Sequence, residues 1–136
     1  MNTQLRRQLS VAIENEPGRL GHIGRLLAAR SIHIDALSVI NNVEQGMVRL
    51  MTGDPAQARI ALEEAGLPTV EAEVLAVEVT DSIGNLAAVG EALAAAGINI
   101  EYAYASTAQI GQAALLILKT TSPQKAHEVL RAVGDA

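Results

Sequence analysis

Sliding the 136-residue sequence against itself by 66 positions gives a gap-free match through the first half of each repeat. Leu9, Val11, Gly18, Leu20, Gly24, Leu27, Ala28, Ala29, Ile32 and Ile34 then meet identical residues at Leu75, Val77, Gly84, Leu86, Gly90, Leu93, Ala94, Ala95, Ile98 and Ile100. Further along the offset becomes 68, and Pro55, Ala58, Leu62 and Gly66 meet Pro123, Ala126, Leu130 and Gly134. Two extra loop residues in the second copy account for the change. Self-similarity at such a period marks a repeated supersecondary unit. The chain is therefore built twice from one pattern, over residues 1–72 and 73–136.

Each copy reads in the same order. Leu9 to Ile13 and Leu75 to Val79 alternate apolar and polar residues, as a half-buried strand does. Leu20, Ile23 and Leu27, with Leu86, Val89 and Leu93, follow at the i, i+3, i+7 spacing of one helix stripe. Pro17 suits a first helical position, where its missing N–H costs nothing. Ile32 to Ile40 and Ile98 to Ala105 read as second strands, closed by the glycine-containing turns 43–46 and 108–111. Third strands span Met47 to Thr52 and Ala113 to Lys119. Asp54-Pro55 and Ser122-Pro123 then start second helices, which Gly66 and Gly134 end. Copy one continues into a fourth strand, Pro68 to Val74, whereas copy two stops after its second helix.

The order β-α-β-β-α-β is the ferredoxin-like split βαβ, an α+β fold. Right-handed crossovers put both helices on one face of an antiparallel sheet. The fold class expected is thus two ferredoxin-like units, the second lacking its last strand. Val70 to Thr80 reads as one nearly continuous strand serving both copies. A unit of about 60 residues is marginal alone, and Ala113 to Leu118 is apolar on both strand faces. The copies are expected to pack together. Two chains are expected to form a homodimer through the open sheet face or the unfinished edge near Val77. Gly24 and Gly90, in mid-helix, read as close-packing positions.

Composition narrows the function classes. The net charge is −5, spread without charge blocks, and Tyr102 and Tyr104 are the only aromatics. Both facts argue against a nucleic-acid partner. No apolar run approaches the length of a membrane span, and no apolar signal region follows Arg6 and Arg7. A cytoplasmic protein is expected. The absence of cysteine removes thiolate metal sites, thiol nucleophiles and redox dithiols. His22, His33 and His127 have no metal-ligand spacing. No nucleophile elbow organises a triad. Gly18 to Gly24 is glycine-rich but lacks the phosphate-loop lysine. Glu14, Glu16, Asp35, Glu78 and Glu101 read as a solvated face. No metal, cofactor or catalysis is expected.

The two strand-to-helix turns remain. A helix N-terminus presents unpaired N–H groups and a positive dipole end, which suit a carboxylate. Glycine there permits positive φ and close approach, although it is also the default turn residue. Asp81, and Asn15 through its amide oxygen, can accept bonds from an ammonium. Donors for a carboxylate beside acceptors for an ammonium fit a free amino acid.

These residues resemble those of the ACT domain. Asn15-Glu-Pro-Gly-Arg-Leu20 and Asp81-Ser-Ile-Gly-Asn-Leu86 look like its signature turn, and Gly97-Ile-Asn-Ile100 like the opening of its second strand, with Ser31-Ile-His-Ile34 as a variant. The resemblance covers roughly Gln8 to Gly134. It implies a tandem of regulatory modules that bind amino acids where the turn of one domain approaches the second strand of its neighbour. Carried over residue by residue, Gly18 and Gly84 admit the ligand, and Asn15 and Asp81 hold its polar end. Asn99 reaches it from the second strand, where copy one has His33. Glu16, Pro17, Leu20, Ser82, Asn85 and Leu86 complete the expected lining. The implied function is a non-catalytic allosteric sensor acting on an enzyme of amino-acid metabolism. The alternative is a ligand-independent dimerisation or docking subunit of such an enzyme, with a partner strand completing copy two.

Overall fold

The computed structural model of the chain describes residues 1–14, 16–41, 45–79, 84–106 and 113–134. The elements run β1 (Thr3–Ile13), α1 (Arg19–Ala28), β2 (Ile34–Asn41), β3 (Gly46–Thr52) and α2 (Pro55–Glu64). They continue with β4 (Thr69–Val79), α3 (Asn85–Ala95), β5 (Ile100–Ala105), β6 (Ala114–Thr120) and α4 (Pro123–Arg131). The chain divides into two compact units, Arg7–Ala72 and a second made of Met1–Arg6 with Glu73–Ala136. Both are ferredoxin-like, with strands antiparallel.

In the first unit the strand order is β2-β3-β1-β4. Leu9 pairs with Leu50 and Val11 with Val48, so these four residues share one face. Ile23 and Leu27 of α1 and Ala58 and Leu62 of α2 cover that face as the core. The second unit repeats the arrangement. Leu75 pairs with Leu118 and Val77 with Leu116, beneath Val89, Leu93, Ala126 and Leu130 of its helices.

Among the described residues no strand follows α4, as the sequence implies, yet the place is filled. Thr3 to Arg6 of β1 belong to the second unit, where the Glu78 N–H donates to the Asn2 carbonyl at 2.9 Å. Met1 and Leu5 pack against that unit's core, and the Thr3 hydroxyl bonds to His127 Nδ1 at 2.6 Å. The terminal ammonium of Met1 donates to the carbonyls of Leu130 and Val133 at the end of α4.

The expected dimer edge near Val77 is therefore wrong, because the chain's own first residues occupy it. Gln8, Ala36 and Met51 lie away from the helices in the first unit, and Val74, Ala76 and Ile117 do so in the second. All six are buried within a single chain. Burial on both faces explains why Ala113 to Leu118 reads as an unbroken apolar run.

Helix ends follow local rules. Asp54 caps α2 by accepting from the Gln57 N–H at 3.1 Å, and Pro55 and Pro123 open their helices. Pro17 lies outside α1, which starts at Arg19 after Gly18. Three C-termini close with paired 6→1 and 5→2 bonds: Ile32 to Leu27 and Ser31 to Ala28, Leu67 to Leu62 and Gly66 to Glu63, Ile98 to Leu93 and Gly97 to Ala94. The residue carrying positive φ is Gly66 or Gly97 in two of them and Ser31 in the other.

Gly24 and Gly90 are not close-packing positions, since a Cβ built at either meets nothing within 4 Å. Glycine in a helix interior costs about 1 kcal/mol relative to alanine. The Gly24→Ala and Gly90→Ala chains are each expected to gain about 1 kcal/mol of stability, read as a rise in Tm of roughly 2–5 °C by differential scanning calorimetry. An unchanged or lower Tm contradicts the open-space reading. Among the described residues no helix is long and apolar enough to cross a membrane.

Candidate functional site

The first strand-to-helix turn follows Ile13, the last residue of β1. The Glu16 N–H folds back onto the Glu14 carbonyl at 2.9 Å. Gly18 then takes φ 87° and ψ −7°, the left-handed conformation that a side chain resists. The first helical bond runs from the His22 N–H to the Gly18 carbonyl at 3.0 Å. The N–H groups of Arg19, Leu20 and Gly21 precede it and so have no partner within the helix. Gly18 carries no side chain to cap them, in contrast to Asp54 on α2. A positive helix end without its own cap favours an anion.

Two hollows flank this turn. The smaller, about 210 Å³, is lined by Glu16, Gly18, Leu20, Gly21, Val39 and Asn41, among others. The larger, about 470 Å³, lies between α1 and the residues after α2. Ile13, Glu14 and Arg19 border both. The Arg19 guanidinium donates to Glu14 Oε2 at 2.9 Å and to Glu16 Oε2 at 3.0 Å, clasping the turn to its helix. The Glu16 hydrogen bond, then the charges of Glu14 and Glu16, hold Arg19 above its ordinary pKa. Arg19 stays cationic at every physiological pH.

The second turn ends in the same way. Gly84 has φ 99° and ψ −5°, and the Ala88 N–H donates to its carbonyl at 2.9 Å. Asn85, at 5% exposure, is buried rather than presented at the surface. Leu86, 70% exposed, is free to meet another molecule. Leu20 is its counterpart at 44%. Asn15, Asp81 and Ser82 lie outside the described residues.

The structure brings Glu16, Gly18 and Leu20 to one hollow, with Pro17 exposed on the same turn. It sets His33 apart. His33 precedes β2, whereas Asn41 ends β2 beside the turn, about 25 Å away at strand rise. His33 lines a separate hollow with Arg30, Ser31, Gly53, Asp54 and Gln57, and its Nε2 lies 3.7 Å from Asp35 Oδ1. Asn99 is exposed in the equivalent place before β5, its N–H donating to Thr121 Oγ1 at 3.3 Å and its carbonyl accepting from the Thr121 N–H at 3.1 Å. His33 does not border either hollow beside the Gly18 turn.

Val39, Asn41, Glu14 and Arg19 belong to this neighbourhood and were not anticipated as a ligand lining. The first two were open to inference. In a βαβ crossover the two strands run the same way, so the end of β2 returns to the end of β1 where α1 begins. The Arg19 clasp is a matter of side-chain reach and leaves no signal in spacing. Among the described residues no group of three or more His, Cys, Asp or Glu side chains could hold a metal ion.

Fold and sequence together define a pair of ferredoxin-like modules. A family model described as an ACT domain pair matches residues 4–133, and the chain belongs to that family. It resembles a solved Bacteroides thetaiotaomicron protein at 30% identity and TM-score 0.86, covering 96% of this chain and 90% of that one. The regulatory subunit of aspartate kinase from Thermus thermophilus, in its ligand-free form, matches at 20% identity and TM-score 0.68, covering 96% and 93%. The corresponding Thermus flavus subunit matches at 24% identity and TM-score 0.65, covering 97% and 94%. The two Thermus likenesses are ones of fold. Among curated proteins there is no match.

Proposed function

We propose that the chain is a non-catalytic regulatory protein that binds a free amino acid at its glycine turns. The observation carrying this reading is the pair Gly18 and Gly84, at equivalent positions and both left-handed, each opening a helix whose first N–H groups have no side-chain cap from that glycine. The ligand's carboxylate docks on those N–H groups. Its ammonium lies toward the acceptors of the same turn, Asn15 in one copy and Asp81 in the other. The other wall is the second strand of a neighbouring ACT domain, through His33 or Asn99; for His33 this fits its place in a hollow apart from the turn of its own unit.

A ligand that touches two domains favours the arrangement holding them together. A homodimer is one such arrangement, and the fold shared with aspartate kinase regulatory subunits supports an enzyme of amino-acid metabolism as the partner. The competing docking-subunit reading relied on an unfinished sheet edge awaiting a partner strand. Residues 3–6 already occupy that place, so its specific support is gone.

Thermal-shift measurements with each of the twenty amino acids test the proposal. A ligand at 100 times its Kd stabilises the folded chain by about 2.7 kcal/mol. At least one amino acid at millimolar concentration is expected to raise Tm by several degrees. Flat melting curves across the whole panel contradict amino-acid sensing.

A further inference from the structure

The two edge strands carry opposite size patterns. Among the described residues β2 ladders with β3 alone and β5 with β6 alone, so each is the last strand of its unit. An edge strand offers its outer backbone groups to any strand laid beside it. Leu37 pairs with Leu50 and Val39 with Val48, which sets both on the helix-covered face. They stay 42% and 43% exposed there. The small side chains Ala36 and Ser38 take the other face of β2, opposite Met51 and Arg49. On β5 the pattern is reversed. Ala103 and Ala105, both exposed, pair with Leu118 and Leu116 and share the helix-covered face. Tyr102 and Tyr104 stand on the other face, beside Lys119 and Ile117.

We propose that β2 of one chain pairs antiparallel with β5 of a second copy. Leu37 and Ala103 are equivalent in the repeat. With these two facing one another, Ala36 faces Tyr104 and Ser38 faces Tyr102, so a large side chain meets a small one on both faces. Such pairs fill the seam at close to interior density. Like with like does not. Two β2 strands put Leu37 against Leu37 on one face and only Ala36 and Ser38 on the other, and two β5 strands crowd four tyrosines on one face over facing alanines. The pairing needs no ligand and stands apart from the sensor reading. For the amino-acid site proposed above, it brings the start of β5, with Asn99, to the end of β2, where Val39 and Asn41 line the Gly18 hollow. Asn99 of a second copy, not His33, then faces that turn.

The chain has no cysteine, so disulfide trapping reads the pairing cleanly. Side chains facing across a strand pair stand close enough for a disulfide. Leu37→Cys chains mixed with Ala103→Cys chains, with no amino acid added, are expected to form a disulfide-linked pair under oxidising conditions. Neither variant is expected to link to itself. Light scattering of the unsubstituted chain is expected to give more than one copy per particle, and Val39→Lys to shift it to the monomer. Circular dichroism checks that each variant folds. Self-linking of Leu37→Cys or of Ala103→Cys overturns the proposal in favour of like-with-like pairing. A monomeric unsubstituted chain overturns it outright, as does an assembly that ignores Val39→Lys. The thermal-shift panel tests ligand binding separately, so failure of the pairing leaves the sensor reading standing and the reverse holds too.

Discussion

A chain lacking residues 2–6 is expected to keep its first unit folded and to lose the second. The deletion removes the Asn2 carbonyl from Glu78, the Thr3 hydroxyl from His127 and the Leu5 side chain from the core of Val77, Leu116 and Leu118. It also withdraws the Met1 ammonium and side chain from the end of α4. Two partly buried apolar side chains and their hydrogen bonds contribute on the order of 3–5 kcal/mol. That rivals the whole stability of a unit this small. Amide hydrogen exchange reads the result directly. Protection is expected to collapse over Leu116 to Thr120 and to persist over Val48 to Met51, whereas equal protection in both would show that the N-terminal strand is dispensable.

The second large effect falls on the turns. Replacing both Gly18 and Gly84 with leucine is expected to weaken amino-acid binding at least 100-fold, about 2.7 kcal/mol or more. Each leucine adds a side chain beside the N–H groups of the first helical turn, at a φ that costs roughly 1–2 kcal/mol. A Cβ at Gly18 meets nothing within 4 Å, so the loss is not a packing defect there. Gly97→Leu supplies the control. Gly97 has φ 72° and equally open surroundings, but it closes α3 rather than opening it. The control is expected to share the strain and retain affinity in isothermal titration calorimetry. If Gly97→Leu binds as poorly as the double variant, the turns are not the site.

Much of the fold is legible in the sequence alone, and for identifiable reasons. The repeat offset and the apolar periodicities specify both ferredoxin-like units because alternation and the i, i+3, i+7 stripe map directly onto faces. Val70 to Val79 reads as one strand for the same reason, as β4 (Thr69–Val79) shows, Thr80 lying outside the described residues. The missing strand of the second unit was not legible. It sits at the opposite end of the chain, in a polar stretch where only Leu5 and the first methionine supply apolar bulk. Pairing across that distance is a tertiary choice and leaves no periodic trace. The mid-helix glycines misled because recurrence in both copies looks the same whether a position is crowded or merely unfilled. Within the candidate site, the turn glycines announced themselves through their place between strand and helix. The Arg19 clasp and the larger hollow depend on side-chain reach and on the gap between helices, which spacing does not encode.

The most direct measurement is a crystal structure of the chain grown with the amino acid that raises its Tm furthest. The account predicts ligand density at one or both glycine turns, with carboxylate oxygens about 3 Å from the backbone nitrogens of the first helical turn, such as Leu20 and Gly21 beside Gly18. An amino acid bound elsewhere on a well-ordered chain, with both turns bare, would contradict it.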